Sequence, residues 1–391
     1  MNNVYLVDGL RTPFGSFNGM LADVPAVELG AMVIKGLLEK NGLEAEAVSE
    51  VIVGQVLSGG CGQAPARQAM RHAGLPDHIP AMTINKVCGS GLKSIMLGVD
   101  SIQLGNAGLV LAGGMENMTQ APYLLKKGRN GYRMGHGEVL DLMIYDGLQD
   151  PYSGRHMGLI SEESVLRGNL TREEQDQFAA RSYRLSRAAV TEGVFRSEIV
   201  PVFKSAKGGV ITLADDEEPF KGDPGKLGHL RPAFSKEGSI TAGNASTIND
   251  GAAMVLLADE ATCKQHQLTP KARIVASATE SRHPDQFTEA PIGAIQKASA
   301  KAGLTPEQID LFEINEAFAL VPLLAIKALG LDPDKVNVNG GACAIGHPIG
   351  ASGTRLAVTV VRELHKRQLR YGLATLCIGG GEAVAVIFER V

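Results

Sequence analysis

The chain is short of net charge, of clustered cysteines and of long apolar runs, and each shortage closes off a class of function. Its 391 residues carry 38 basic and 42 acidic side chains, a formal net charge of −4. So near a balance, with no basic helix and no interleaving of basic and aromatic residues, argues against a nucleic-acid partner. The five cysteines, Cys61, Cys88, Cys263, Cys343 and Cys377, lie far apart. None has zinc-knuckle or CxxC spacing, so no metal site is expected. An odd count without a framework fits reduced thiols in the cytoplasm. No apolar run is long enough to span a bilayer. Met1-Asn2-Asn3-Val4-Tyr5-Leu6-Val7 reads as a strand rather than a secretory leader, and Glu389-Arg390-Val391 carries no recognisable address. What these absences leave is a cytoplasmic globular chain, 44% hydrophobic, with length for about two or three domains.

The most informative run present is Asn85-Lys86-Val87-Cys88-Gly89-Ser90-Gly91-Leu92-Lys93-Ser94. A cysteine followed by Gly-Ser-Gly and a helical pattern places a thiol at a helix N-terminus. Unpaired N–H groups and the helix dipole there favour thiolate over thiol, and the glycines admit a close ligand. A lone cysteine in a tight turn is more often a small buried residue. Distant segments tip this one toward chemistry: Asn315-Glu316-Ala317-Phe318-Ala319, and Gly340-Gly341-Ala342-Cys343-Ala344-Ile345-Gly346-His347-Pro348. Cys377-Ile378-Gly379-Gly380-Gly381 adds a second thiol.

An internal repeat indicates the architecture. Lys40-Asn41-Gly42-Leu43 and the strand-like Val51-Ile52-Val53-Gly54 match Lys301-Ala302-Gly303-Leu304 and Leu311-Phe312-Glu313-Ile314-Asn315 at one offset. At that offset Cys88-Gly89-Ser90-Gly91 falls on Ile349-Gly350-Ala351-Ser352-Gly353. Slightly shifted, Gly108-Leu109-Val110-Leu111-Ala112-Gly113-Gly114 matches the stretch 372–380. Ordered matches of this kind point to duplication of a whole unit. Each unit reads helix, strand, Gly-rich turn, helix, strand. Helices are expected at 25–41, 92–104, 293–302 and 353–364, and buried strands at 50–56, 108–113, 373–378 and 383–388. Thr305-Pro306-Glu307-Gln308 reads as an N-cap with proline at the first helical position. The expectation is a layered α/β fold with mostly parallel strands and the two copies face to face.

Residues 120–248 have no counterpart in the second copy and read as an insertion. The segment holds one clear helix, 171–190, opened by the capping box Thr171-Arg172-Glu173-Glu174. It also holds Lys126, Lys127, Arg129 and Arg133, with no acidic residue between Glu116 and Glu138. An insertion this long suits a lid, an oligomer contact or a ligand clamp.

A thiolate at Cys88 suits acyl transfer, which needs donors for the developing oxyanion. The N–H of Cys88 and the glycine turn 379–381 are candidates. His347 could take the proton of Cys88 or donate to an oxyanion. At a strand end, Asn315 could orient a water, and Glu316 could hold a histidine in one tautomer. Cys377 is an acid/base if it faces a pocket and inert if it is fully apolar.

These residues resemble the thiolase family, from Val7-Asp8-Gly9-Leu10-Arg11-Thr12-Pro13-Phe14-Gly15 to Gly379-Gly380-Gly381-Glu382-Ala383. Val87-Cys88-Gly89-Ser90-Gly91 is similar to the family's nucleophilic-cysteine motif, and Asn315-Glu316-Ala317-Phe318 to its Asn-Glu-Ala-Phe motif. Gly346-His347-Pro348 and Cys377-Ile378-Gly379 match the remaining two. The resemblance implies two duplicated α/β core domains in an αβαβα stack with an inserted loop domain. Its bounds would be 1–119 plus 249–269 for the first core, 120–248 for the loop domain, and 270–391 for the second core.

The implied chemistry is a ping-pong exchange through acetyl-Cys88, activated by His347, with Cys377 moving the proton at the acetyl carbon. One oxyanion hole would use the N–H groups of Cys88 and Gly379. The other would use His347 with a water held by Asn315, and Glu316 would orient His347. Coenzyme A enters as substrate and product, acetyl-CoA and acetoacetyl-CoA are the implied partners, and no further cofactor is implied. Leu148, His156, Met157, Phe234, Ala242, Gly243, Ser246, Ala317 and Phe318 are the implied contacts to coenzyme A, with Lys221 and Lys226 toward its phosphates. The family's habit implies a homotetramer, a dimer of dimers, with a dimer as fallback.

The loop from Met134-Gly135-His136-Gly137 to Asp146-Gly147-Leu148, followed by His156-Met157, resembles biosynthetic short-chain members. Met157 in the acyl pocket would limit chain length. The alternatives are a broader 3-ketoacyl-CoA thiolase of β-oxidation, a decarboxylating ketoacyl synthase, and a silent acyl-CoA-binding protein. The second thiol and the whole Asn-Glu motif weigh against the synthase. The intact Gly-His-Pro and Cys-x-Gly segments weigh against the silent protein.

Overall fold

A computed structural model describes residues 3–206 and 208–391. Its centre is a ten-stranded sheet. The amino-terminal half contributes β1 (Val4–Arg11), β2 (Glu50–Gly54), β3 (Ala81–Ile84), β4 (Leu109–Asn117) and β5 (Asn249–Asp259), in the order β3-β2-β4-β5-β1. The carboxy-terminal half contributes β6 (Ala272–Ser281), β7 (Leu311–Ile314), β8 (Tyr371–Ile378) and β9 (Glu382–Arg390), in the order β7-β8-β9-β6. A parallel bridge from Phe312 to Val336 lies beside β7 where β3 lies beside β2. The same order thus recurs in both halves. They join where β1 meets β6, Tyr5 opposite Arg273 and Leu6 opposite Ala272. The two-residue strand Gly15–Ser16 pairs with β5.

Strand direction corrects the expectation of a mostly parallel sheet. β2 runs parallel to β3 and β4, and β7 to β8. β5 runs antiparallel to β4 and β1, and β9 to β8 and β6. The physical reason lies in the connections, since an antiparallel neighbour needs only a tight turn and a parallel one needs a crossover. β8 returns as β9 through Gly380 and Gly381, at φ of 91° and 95°. In the amino-terminal half the corresponding return, from β4 to β5, is opened out by residues 118–248.

Seven helices position the site: α1 (Ala26–Asn41), α2 (Ser90–Gln103), α3 (Met157–Gly168), α4 (Arg172–Thr191), α5 (Ala290–Ala302), α6 (Leu320–Leu329) and α7 (Ser352–Arg367). Ile95 and Val99 of α2 and Val360 and Leu364 of α7 share one core with Val110 and Val255 of one half-sheet and Leu376 and Val386 of the other. Outside that sandwich, Val33 and Leu37 of α1 pack with Leu111 and Leu256, and Ala294 and Ala298 of α5 with Leu373 and Ile387. The result is the αβαβα stack. Alternate residues of each strand enter opposite cores, so both faces are buried and the strands read as apolar runs.

In the insertion, α4 has the expected capping box. Thr171 Oγ1 accepts the Glu174 N–H at 3.1 Å and Glu174 Oε2 accepts the Thr171 N–H at 2.6 Å. Helix α3 was not foreseen, because its cap is a histidine: His156 Nδ1 accepts the Gly158 N–H at 3.1 Å. Ser, Thr, Asp and Asn are the residues that normally announce a helix start. Thr305 caps only a single 3-10 turn, Pro306–Gln308. Arg11 of β1, fully buried, anchors the insertion through Glu198 at 2.7 Å and Asp216 at 2.6 Å.

Candidate active site

Cys88 sits in the turn between β3 and α2. The residue before it, Val87, has φ of 46°. For a β-branched residue this left-handed geometry costs about 1–3 kcal/mol and persists only when its surroundings enforce it. Here Asn85 Oδ1 accepts the Val87 N–H at 2.8 Å, Ser90 Oγ accepts the Lys86 N–H at 2.8 Å, and the Ser90 hydroxyl donates to Val87 O at 2.7 Å. The turn leaves Cys88 half-buried at the head of α2.

The expectation of a resting thiolate is corrected. Burial pushes the Cys88 thiol up to about 11, and the nearby Glu116 carboxylate adds to the rise. The backbone N–H groups of Gly379 and of Cys88 itself reach the sulfur and favour the anion, but they do not outweigh the lost hydration. Cys377 closes β8 and is fully buried. Burial, then the neighbouring Cys88 sulfur, hold its thiol well above the usual range. Both sulfurs therefore rest protonated at neutral pH.

His347 follows Gly346, whose φ is 105° and whose position would drive a Cβ to 2.4 Å from the Asn249 side chain. Only glycine lets that asparagine come close enough for its Oδ1 to accept the His347 N–H at 2.8 Å. On the ring, Nδ1 lies 2.6 Å from Ser352 Oγ, and the Ser352 hydroxyl donates to Pro348 O at 2.9 Å. With its own proton committed, Ser352 accepts from Nδ1–H, which leaves the lone pair on Nε2. Burial, then the Arg355 charge, push His347 down to about 3, so the imidazole is neutral. A neutral base facing a neutral thiol fits proton transfer that occurs with attack.

The Asn315 carboxamide nitrogen lies 3.4 Å from His347 Nε2 and 3.5 Å from Nδ1. Glu316 does not reach His347, which corrects the role implied for it. Its carboxylate instead accepts from Ser182 Oγ of α4 at 2.7 Å, Asn337 Nδ2 at 2.8 Å and Cys343 N at 3.1 Å. The chain turns at Asn315 and sends the next side chain away from the ring, into the seam between α4 and the His347 loop. Ser352 does the work expected of Glu316. Ser352 lies in the glycine-rich run Ile349-Gly350-Ala351-Ser352-Gly353, and nothing local marks a serine five residues past a histidine as its partner.

Cys88, His347, Cys377 and Gly379 line one cavity of about 220 Å³. Leu148, His156, Met157, Phe234, Ser246, Ala317 and Phe318 form its walls. His156 stacks on Phe234 at 4.9 Å, and Phe318 meets Phe234 and Phe287 edge-on at 6.1 and 6.5 Å. Phe287, Met118 and Ile349 also line the cavity and were missed; Phe287 is an isolated aromatic in a polar stretch, with no periodicity to flag it. Ala242 and Gly243 stand outside the wall, in the turn from Thr241 to Ala245 just before Ser246, with Gly243 against Leu227 of the 3-10 turn Pro224–His229 and against Leu230. Lys226 is on that 3-10 turn, exposed, and among the described residues it pairs with Asp223 at 3.2 Å. Lys221 is not brought there: its ammonium is held by Ser16 Oγ at 2.6 Å and Glu217 at 2.7 Å. Among the described residues no cluster of His, Cys, Asp and Glu is grouped to hold a metal ion.

Residues 4–261 match the family described as thiolase, N-terminal domain, and residues 268–390 that described as thiolase, C-terminal domain. The chain belongs to the thiolase family. This thiolase is 50% identical to an acetyl-CoA acetyltransferase of Pseudomonas aeruginosa and 48% identical to one of Escherichia coli, with each chain covered in full. The crystal structure of the Bacillus anthracis acetyl-CoA acetyltransferase superposes with a TM-score of 0.97 at 40% identity, covering 100% of this thiolase and 99% of that chain.

Proposed function

We propose that this thiolase is an acetyl-CoA C-acetyltransferase that interconverts two acetyl-CoA with acetoacetyl-CoA and coenzyme A. The observation that carries the reading is one small apolar cavity lined by two thiols and an imidazole, in which burial favours the uncharged form of each. In thiolysis, Cys88 Sγ attacks the 3-keto carbon of acetoacetyl-CoA while His347 Nε2 takes the thiol proton. The bond between C2 and C3 breaks, and Cys377 gives its proton to the departing acetyl-CoA carbanion. Coenzyme A then attacks acetyl-Cys88. Its thiol proton goes to the Cys377 thiolate, and the Cys88 sulfur leaves and recovers its proton from His347. Condensation runs these steps backward. The N–H groups of Cys88 and Gly379, already directed at the sulfur, hold one oxyanion; His347 and a water held by Asn315 hold the enolate oxygen.

Met157, Phe287 and Phe318 wall the cavity, which supports acetyl and acetoacetyl groups over longer chains. Gly243, three residues before the cavity residue Ser246, packs against Leu227 beside Lys226, which supports a phosphate contact at that lysine and none at Lys221. Leu125, Tyr132, Met134 and Val139 are exposed beside the basic residues 126–133, which supports this segment as the contact of a dimer of dimers. A light-scattering mass near that of one chain would remove that assignment. The deciding experiment is coenzyme A-dependent cleavage of acetoacetyl-CoA beside a long-chain 3-ketoacyl-CoA with one preparation. Fast cleavage of the short substrate alone is expected. Comparable long-chain cleavage would make the enzyme a broad β-oxidation thiolase, and cleavage of neither would overturn the reading.

A further inference from the structure

Beneath the cavity lies a carboxylate that the reaction above does not use. Glu116, near the end of β4, is fully buried. Its Oε2 accepts the N–H of Val56 at 2.9 Å and of Gly350 at 3.0 Å, and its Oε1 accepts the N–H of Leu57 at 3.1 Å. Val56 and Leu57 follow β2 in the amino-terminal half, whereas Gly350 belongs to the His347 loop of the carboxy-terminal half. The fit has no slack. A Cβ on Gly114 would lie 1.9 Å from Gly350 O, and one on Gly350 would lie 2.7 Å from Glu116 Oε2. Two loops from different halves, one reaching the histidine, therefore hang on one side chain.

We propose that Glu116 is a positioning residue for acyl transfer: its carboxylate clamps the His347 loop onto the loop after β2 and keeps the imidazole in register with the Cys88 thiol. The clamp rests on the roles given above to Cys88 and His347. Three backbone donors aimed at two oxygens demand an acceptor at both. An amide nitrogen in place of either oxygen sets a donor against an N–H, and a proton on either oxygen weakens it as an acceptor and removes the charge that strengthens all three bonds. Burial, more than those donors offset, pushes Glu116 up to about 7, with Asp250 across the strand pair adding to the rise. The ionisable groups facing it are Asp250 of β5, Cys61 beyond β2 and Cys88 at the head of α2, with His347 farther along the clamped loop. Burial moves Asp250 and Cys61 up, Cys88 up to about 11 and His347 down to about 3. The clamp is thus complete above neutral pH and loosens below it.

The test is alkylation of Cys88 by iodoacetamide, followed by peptide-resolved mass spectrometry across the neutral pH range, on the full-length wild type and on Glu116→Gln. The thiolate is the species alkylated and its fraction rises about tenfold per pH unit below the Cys88 value near 11, so the profile is the rate divided by that fraction, and a step in it belongs to another group. The wild type should show a step near pH 7, slower on the acid side. In Glu116→Gln the step should vanish and the rate should fall on the order of 100-fold, the scale of a small misplacement of reacting groups. A step that persists in the folded variant overturns the proposal. So does faster alkylation, which would mean that Glu116 acts on Cys88 only through its charge. If the variant does not fold, the wild-type profile decides, and a flat profile overturns the clamp. Because iodoacetamide is not a substrate, failure to cleave acetoacetyl-CoA would sink the proposed function while leaving this readout intact.

Discussion

In the amino-terminal half, the turn leading into the central helix α2 carries Cys88; in the carboxy-terminal half, the loop leading into the central helix α7 carries His347. The two helices pack together between the half-sheets, so a duplicated element brings two different side chains to one cavity. The backbones differ as the chemistry does. The nucleophile's turn is strained at Val87 and enforced by three local hydrogen bonds. The base's loop is eased by Gly346 and held by Asn249 and Ser352. On the proposed reading, the amino-terminal half supplies the nucleophile and the carboxy-terminal half, with His347 and Cys377, handles protons. Both halves line the one cavity.

That division is most sharply tested by removing one sulfur from each half. Cys88→Ala should lower turnover on the order of 10⁶-fold, the scale reached when a covalent nucleophile is lost, and intact-mass spectrometry should find no acetyl-enzyme. Cys377→Ala should still take one acetyl group from acetyl-CoA onto Cys88. Its thiolysis and condensation should fall on the order of 10²–10⁴-fold, the share of a general acid or base. An acetyl adduct on Cys88→Ala, or normal turnover of Cys377→Ala, would break the assignment of one sulfur to each task.

A smaller effect separates the histidine from its support. Ser352→Ala removes the acceptor for His347 Nδ1–H, so the ring loses its fixed tautomer and Nε2 is no longer always the bare nitrogen. By analogy with the groups that orient histidine ligands, kcat should fall on the order of 10- to 100-fold. Ser352→Thr, which keeps the hydroxyl, should recover most of the loss. KM should move little, because Ser352 lies behind the ring and does not line the cavity. A rise in KM at unchanged kcat would place Ser352 in binding instead.

What was legible in the sequence was what chemistry keeps within a few residues. The cysteine and its glycine turn, the glycine before His347 and the second thiol each declare a local geometry, and the repeat declares that the geometries recur. What was not legible depends on distance in the chain. Cys88 is half-buried, covered by Leu142 and Leu148 of the insertion and by Ile378 of β8, and that cover opposes the pKa shift expected from a helix N-terminus. Glu316 finds Ser182, 134 residues away, and Glu116 finds Gly350, 234 residues away; no spacing rule foretells either. The direction of β5 was hidden because the insertion conceals a hairpin that its counterpart, β8 to β9, shows openly.

The smallest expected effect contrasts the duplicated halves with the insertion. Helix α4 starts at the Thr171 capping box and, farther along, presents Ser182 to Glu316. Thr171→Ala removes one cap and should cost about 1 kcal/mol of stability, read as a lower urea midpoint at unchanged slope. Ser182 lies about three turns into the helix, beyond the reach of end fraying, and it is held by Glu316 Oε2 and the Gly341 N–H at 2.7 and 2.8 Å. Steady-state kinetics should therefore be unchanged. If kcat fell along with stability, the order of α4 would be reaching the His347 loop through Glu316 and the N–H of Cys343, and the insertion would be a third contributor to proton handling rather than the wall of the cavity.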